Sequence, residues 1–225
     1  MAYRRTDQVV RRLNARRKTI LDAARIEAAQ GGLNAVQIVP VARRANIASG
    51  TVYRYFPSKT ELITELIVDV SRGELAAVRL AADAAPGPLS ALAAAVTTIA
   101  VHVLEQRMLT WAVVAESIDV DVSAPRLQSR RDIVGELDQR IQAAMRAGHL
   151  PDQDTALSAA AMLGALHEGL VGPLARVQEH DPARRRETVQ ALALFALRAV
   201  GVMDARARGR VGQPVLPARA LAANY

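Results

Sequence analysis

Apolar residues return every three or four positions along most of this chain, and nowhere do they alternate at period two over a sustained run. Such spacing gives a segment one apolar face as an α-helix and no coherent face as a strand. Composition points the same way, because 51% of the residues are hydrophobic and only 3% aromatic. A core built from alanine and aliphatic side chains favours helices, whereas strands draw on aromatic and β-branched residues. The expected fold class is therefore all-α, and 225 residues suffice for one large domain or two small ones. The chain has no cysteine. That removes disulfides, thiolate nucleophiles and Cys-ligated zinc, and no cofactor or metal is expected.

Prolines and glycines divide the helical pattern. The first helix takes its apolar stripe from Leu13, Ile20, Leu21, Ala24 and Ala28, has a basic first half that is exposed or frayed, and stops at Gly31-Gly32. Two short helices are expected over 38–45 and 49–55, with Asn46 between them where a left-handed residue is needed. A fourth helix opens at Ser58, whose spacing to Glu61 is that of a capping box. Breaks at Pro86-Gly87-Pro88, Pro125, Gly148–Pro151 and His180–Pro182 then leave helices over 88–106, 108–118, 125–147, 152–178 and 182–204. The stretch 205–225 lacks periodicity and is expected to be a loose tail.

Charge is unevenly distributed. Residues 1–60 carry twelve basic and three acidic side chains, a net of +9, while 61–203 carry 13 and 18, a net of −5. A polyanion partner is expected at the N-terminal quarter. The Arg4-Arg5 pair is followed by polar residues, so no signal peptide is expected. The uncharged run 84–104 reaches spanning length, yet it contains two prolines, a glycine, a serine, two threonines and a histidine, and reads as a buried helix. A cytoplasmic protein without a membrane partner is the expectation.

The densest constellation is QIVPVARRANIASGTVYRYFPSKTEL at 37–62. Ala42 is small where a second helix crosses closely, Asn46 serves the turn, and Val41, Ala45, Ile47 and Val52 seal two short helices against the first. This is the interior pattern of a helix-turn-helix beside a basic flank. Over about 50 residues the chain resembles the tetracycline-repressor (TetR) family of bacterial transcription regulators. The resemblance is carried by Val41-Ala42, Ala45-Asn46-Ile47, Gly50-Thr51-Val52-Tyr53-Arg54-Tyr55-Phe56 and Ser58-Lys59-Thr60-Glu61-Leu62. Three positions depart from the family pattern. Gln37 replaces the usual cap of helix 2, Asn46 replaces glycine, and Ala48 replaces the serine that caps helix 3, a task left to Ser49 if that helix starts one residue later.

On DNA, helix 3 is expected in the major groove, with Gly50 letting backbone approach. Ser49, Tyr53 and Arg54 are candidates for base edges, since arginine forks onto guanine and a tyrosine ring packs on a thymine methyl. Thr51, Tyr55 and Lys59 are candidates for phosphates, and Arg43 and Arg44 add positive charge on helix 2. Phe56 is assigned to the core.

Residues 1–58 are thus expected to form the helix-turn-helix domain with its basic arm. Residues 59–204 are expected to form a helical bundle for ligand binding and dimerisation. Helix 8 is apolar on two sides, one of them small, through Ala161, Gly164, Ala165 and Glu168. With Leu192 and Ala196 of helix 9 these are expected at a two-fold interface, as the resemblance also implies. A palindromic operator would follow. An effector pocket is placed around Trp111, with Met108, Ala115 and Glu116 on its helix and Met145 and Met162 from helices 7 and 8. Glu116 is equally able to pair with Arg126 or Arg130. His102 and His167 read as bundle residues.

The leading function is a repressor released from its operator by a small-molecule effector, with helix 4 as the lever. A constitutive DNA binder without ligand control is one alternative. An all-α enzyme is another; the acidic pairs Asp119/Asp121 and Asp152/Asp154 sit at helix breaks where N-caps are the ordinary explanation. The chain is therefore not expected to be an enzyme.

Overall fold

A computed structural model describes residues 2–175, 181–203, 209 and 211, with the side chains of 2–6 left aside. Of the tail expected over 205–225, all but residues 209 and 211 lie outside the described residues. Nine α-helices follow one another among the described residues, with no strand. They are α1 (Ala2–Gly31), α2 (Ile38–Arg44), α3 (Ser49–Tyr55), α4 (Lys59–Asp83), α5 (Pro88–Glu105), α6 (Arg107–Val114), α7 (Ser123–Arg146), α8 (Thr155–Leu170) and α9 (Pro182–Ala199).

The ends follow local chemistry. Gly32 adopts φ 74° and so stops α1 in the left-handed region that glycine enters freely. Ser58 Oγ accepts from Glu61 N–H at 3.1 Å, the serine half of the expected capping box. Asp154 accepts from Leu157 N–H at 3.0 Å and Asp181 from Ala183 N–H at 2.9 Å, which starts α8 and α9. Two helices are shorter than their apolar pattern suggests, α6 ending at Val114 and α8 at Leu170. A short 3-10 turn, Leu33–Ala35, follows α1 and has no periodic signal in three residues.

The chain divides into two compact units, and the division does not fall at residue 58. Residues 1–71 and 108–127 form the first, residues 72–107 and 128–225 the second. The reason is packing. Leu62, Ile63, Leu66 and Ile67 of α4, with Leu109, Ala112 and Val113 of α6, share one buried cluster with Ile20, Ala24 and Ala28 of α1 and Val52 of α3. A three-helix head of this size buries too little alone, and α6 completes its core.

In the second unit α5 packs against α8 and α9, and these pack on each other. Leu92, Val96 and Ile99 of α5, Leu166 and Leu170 of α8, and Leu197 of α9 are buried. By length and composition α5 could cross a membrane, but 72% of it is buried inside the protein, as suits a bundle's central helix. Glu136 of α7 is also buried, and two guanidiniums hold it, Arg79 at 2.8 Å and Arg140 at 2.7 Å. Arg140 also reaches Asp83 at 2.7 Å, so no charge in this cluster lacks a counter-charge.

Candidate nucleic-acid interface

The turn between α2 and α3 is made at Asn46, with φ 53°, where Ile47 N–H returns to Ala42 C=O at 3.0 Å. Val41 and Val52 are fully buried and Ala42 is 2% exposed, so the two short helices close on α1 along their inner sides. Neither helix has a side-chain N-cap. Gln37 instead donates its amide to Asn34 C=O at 2.9 Å, and Ala48 stands before α3 with Ser49 already its first helical residue.

What α3 turns outward is Gly50, Tyr53 and Arg54, all exposed, with Ser49 and Thr51 half-buried. A methyl group at Gly50 would meet nothing within 4 Å. The glycine therefore relieves no internal crowding, and what it offers is a bare stretch of surface for something from outside. Tyr55 is half-buried and packs on the core cluster, and the Arg54 guanidinium lies 5.8 Å from its ring. Phe56 is fully buried, as expected.

The basic side chains of this unit fall into two groups. Arg17 pairs with Glu65 at 3.0 Å, Arg25 with Asp69 at 2.8 Å, Arg44 with Glu27 at 2.7 Å and Lys59 with Asp119 at 3.1 Å. Arg44 also donates to Gln30 at 3.0 Å, so its fork clamps α2 to α1 although the residue is exposed. Arg43 and Arg54 are exposed and, among the described residues, hold no carboxylate. Lys59 is intermediate, since its ammonium stands at the α4 N-terminus with a carboxylate already beside it.

Residues 20–66 match the sequence model of the bacterial regulatory proteins of the tetR family. The HTH-type transcriptional repressor KstR of Mycolicibacterium smegmatis is 54% identical over 52 residues, which are 23% of this chain and 26% of that protein. Over these residues the chain is similar to the TetR family. The matched stretch spans about a quarter of the length of this curated relative. The fold extends further: RolR in complex with resorcinol superposes with a TM-score of 0.64 over 92% of this chain and 98% of that one, at 22% identity. FadR of Bacillus subtilis in complex with stearoyl-CoA gives 0.66 over 83% and 98%, at 17% identity.

The sequence-predicted pocket residues are spread over both units. The Glu116 carboxylate is engaged by the turn after α1. It accepts from Leu33 N–H at 2.6 Å, Asn34 N–H at 3.2 Å and the Asn34 amide at 2.9 Å, closing the turn after α1. Arg126 donates to Ala112 C=O and Glu116 C=O, each at 2.7 Å. Met108 and Ala115 are exposed and Trp111 half-buried in the first unit, while Met145 is half-buried and Met162 buried in the second.

Ala196 is 2% exposed within its own chain and so faces the bundle core. Leu192 and Ala165 are half-buried, and Leu192 lies where a side chain on Gly169 would begin, 3.0 Å away. Ala161, Gly164 and Glu168 are exposed, and Glu168 folds back to accept from Leu174 N–H at 3.4 Å. The sequence reading missed two larger members of this surface, Leu157 at 67% exposure and Phe195 at 56%. Their signal was present in the spacing. Leu157, Ala161, Gly164 and Glu168 fall at i, i+4, i+7 and i+11, and Ala191, Phe195 and Ala199 at i, i+4 and i+8.

Asp119, Asp121 and Asp154 of the two acidic pairs have structural duties. Asp119 holds Lys59, Asp121 accepts from Ser123 N–H at 2.9 Å at the start of α7, and Asp154 caps α8. The Ser123 hydrogen bonds hold the Asp121 carboxyl below the usual range. Among the described residues no three His, Asp or Glu side chains gather as a metal site.

Proposed function

We propose that this chain is a homodimeric repressor that reads a palindromic operator through α3 and is released from it by a small molecule. The observation that carries the reading is the outward side of α3, where Tyr53 and Arg54 stand exposed beside bare Gly50 and Arg54 has no carboxylate to satisfy it among the described residues. Arg54, Tyr53 and Ser49 address base edges; Arg43, Thr51 and Lys59 address phosphates. Tyr55 contributes through its hydroxyl while its ring stays on the core.

Binding by the purified chain to duplexes recovered from its own chromosome tests this. Arg54→Ala is expected to cost about 1–3 kcal/mol at one base position and to relax preference there. Lys59→Ala is expected to weaken all duplexes alike and to lower the slope of log K against log salt by about one. Asp119→Asn should act oppositely, because the ammonium no longer has to exchange a carboxylate for a phosphate. A footprint that coats any DNA evenly would sink the operator reading in favour of a constitutive binder, and unchanged affinity in Arg54→Ala and Lys59→Ala together would sink the docking.

Dimerisation is supported by the exposed apolar stripes of α8 and α9, which bury nothing in a lone chain. Phe195 is the natural anchor. Sedimentation at micromolar concentration should give twice the chain mass, and Phe195→Glu should give the monomer. A monomeric wild type would refute the palindrome.

Support for an effector comes from the second unit, where Glu74 Oε1 and Thr98 Oγ1 are buried without a hydrogen-bond partner. Similarly folded RolR and FadR were solved with resorcinol and stearoyl-CoA. Because α4 gives its first half to one unit and its second half to the other, a ligand-driven shift of this helix would reach the reading head. As a TetR-family regulator the chain would act in the cytoplasm and carry out no catalysis.

A further inference from the structure

The basic first half of α1 takes no part in the core. The helix is continuous from Ala2, yet its first fully buried residue is Ile20, and every position from 8 to 16 is exposed. Arg11, Arg12 and Arg16 lie on this stretch. Among the described residues they make no ion pair or hydrogen bond, in contrast to Arg17, Arg25, Arg44 and Lys59. Arg12 and Arg16 are four apart and share a helix side, where two like charges repel each other and weaken the helix. A chain that keeps them there forgoes stability, and a polyanion laid alongside would turn that repulsion into attraction.

Position selects the polyanion. Arg17 stacks over the Phe56 ring at 4.7 Å, and Phe56 directly follows α3, so the exposed stretch leaves the core beside the end of the reading helix. The helix rises about 1.5 Å per residue, which carries the fifteen residues from Ala2 to Arg16 roughly 22 Å from that point. Seven residues of α3 span only about 10 Å. The apolar line Val9, Val10 and Leu13 continues the core-facing side; by the 100° step of a helix Arg11 stands opposite it, and Arg12 and Arg16 line one flank.

The geometry points to a second DNA-contacting surface: the exposed first half of α1 lies along duplex backbone beyond the base pairs read by α3, with Arg11, Arg12 and Arg16 on its phosphates. The inference rests on the reading of α3 as the groove-binding helix and extends the footprint outward from it. It adds affinity and register, and no base preference, because phosphates are alike in every sequence.

The test uses the full chain, a duplex recovered from its chromosome, an unrelated duplex of equal length, and vesicles of anionic phospholipid. Replacing all three arginines by glutamine, which keeps helix propensity, is expected to lower the slope of log K against log salt by two to three. Affinity for both duplexes should fall roughly ten- to a hundredfold near 0.15 M salt, and the protected stretch should shorten at its outer edges only. The triple lysine variant should restore the slope. An unchanged slope and footprint in the glutamine variant would overturn the proposal, as would vesicle binding by the wild type that the glutamine variant loses while its DNA binding is intact. The two readings separate cleanly. Equal binding of both duplexes by the wild type, with the slope still falling in the glutamine variant, would sink the operator and keep this surface, whereas a strong preference with an unmoved slope would do the reverse.

Discussion

Glu116→Ala is expected to destabilise the first unit by about 3 kcal/mol and to lower its melting temperature by about 10 °C. The carboxylate accepts three hydrogen bonds from one turn, from Leu33 N–H, Asn34 N–H and the Asn34 amide. Leu33 is fully buried, so its N–H would lose a charged acceptor with little water to replace it. Asn34 is exposed and can turn to solvent, which keeps the loss well below three times the value of a charged hydrogen bond. Glu116→Gln should retain about half, since an amide oxygen accepts in place of the carboxylate without its charge.

Gly32 sharpens the test. A Cβ there would sit 2.5 Å from Glu116 Oε2, and φ 74° is already unfavourable for any other residue. Gly32→Ala should therefore cost more in the wild type than in Glu116→Ala, where only the backbone term remains. Melting curves of the four proteins, followed by circular dichroism, measure both effects. A Glu116→Ala melt within 2 °C of the wild type would mean that the turn holds without its carboxylate.

This clasp also shows where the sequence was legible. The helix-turn-helix lay open because its constraints are local. Asn46 must turn, Ala42 must be small, Ser58 must cap, and each lies within a few residues of its partner. The Glu116 clasp joins positions 83 apart, and no spacing rule relates a carboxylate after α6 to two N–H groups after α1. Reading Glu116 as a pocket residue followed from its neighbours on one helix, while its bonds come from another element. The same holds for Ala196. Its helical phase put it on an apolar side of α9, but a helix with two apolar sides does not say which one its own bundle covers. Leu157 and Phe195 resolve the choice only once α5 is seen to occupy the other side. The domain boundary behaves alike: α6 is too far along the chain to be read as part of the head that it completes.

The second large effect is a pair of opposed pH dependences in the second unit. Burial raises the Glu74 carboxyl from 4.5 to about 7, and one of its oxygens is buried without a hydrogen bond. Burial, with Arg130 adding to it, lowers the His167 imidazole from 6.5 to about 4. Between pH 4.5 and 7 the folded chain holds a proton on Glu74 that the unfolded chain has released, so this group's stabilisation is whole below 4.5 and lost as pH rises through 7. Between pH 6.5 and 4 the unfolded chain binds a proton at His167 that the folded chain refuses, so this contribution is whole above 6.5 and lost as pH falls through 4. Each amounts to on the order of 3 kcal/mol when complete.

From about pH 4.5 to 6.5 the two slopes have opposite sign and nearly cancel, which hides both in the wild type. Single variants expose them. Glu74→Gln should match the wild type near pH 4.5 and gain on it steadily to pH 8, because an amide cannot be forced to ionise in the same place. His167→Gln should match the wild type at pH 8 and gain on it as pH falls to 4.5. Urea unfolding at pH 4.5, 6.5 and 8 gives the differences directly, and the expected signature is two positive difference curves of opposite slope. A Glu74→Gln difference that stays flat over this range would mean that the carboxyl is solvated or paired when folded. The buried, partnerless oxygen that supports an effector in this unit would then lose its standing as well.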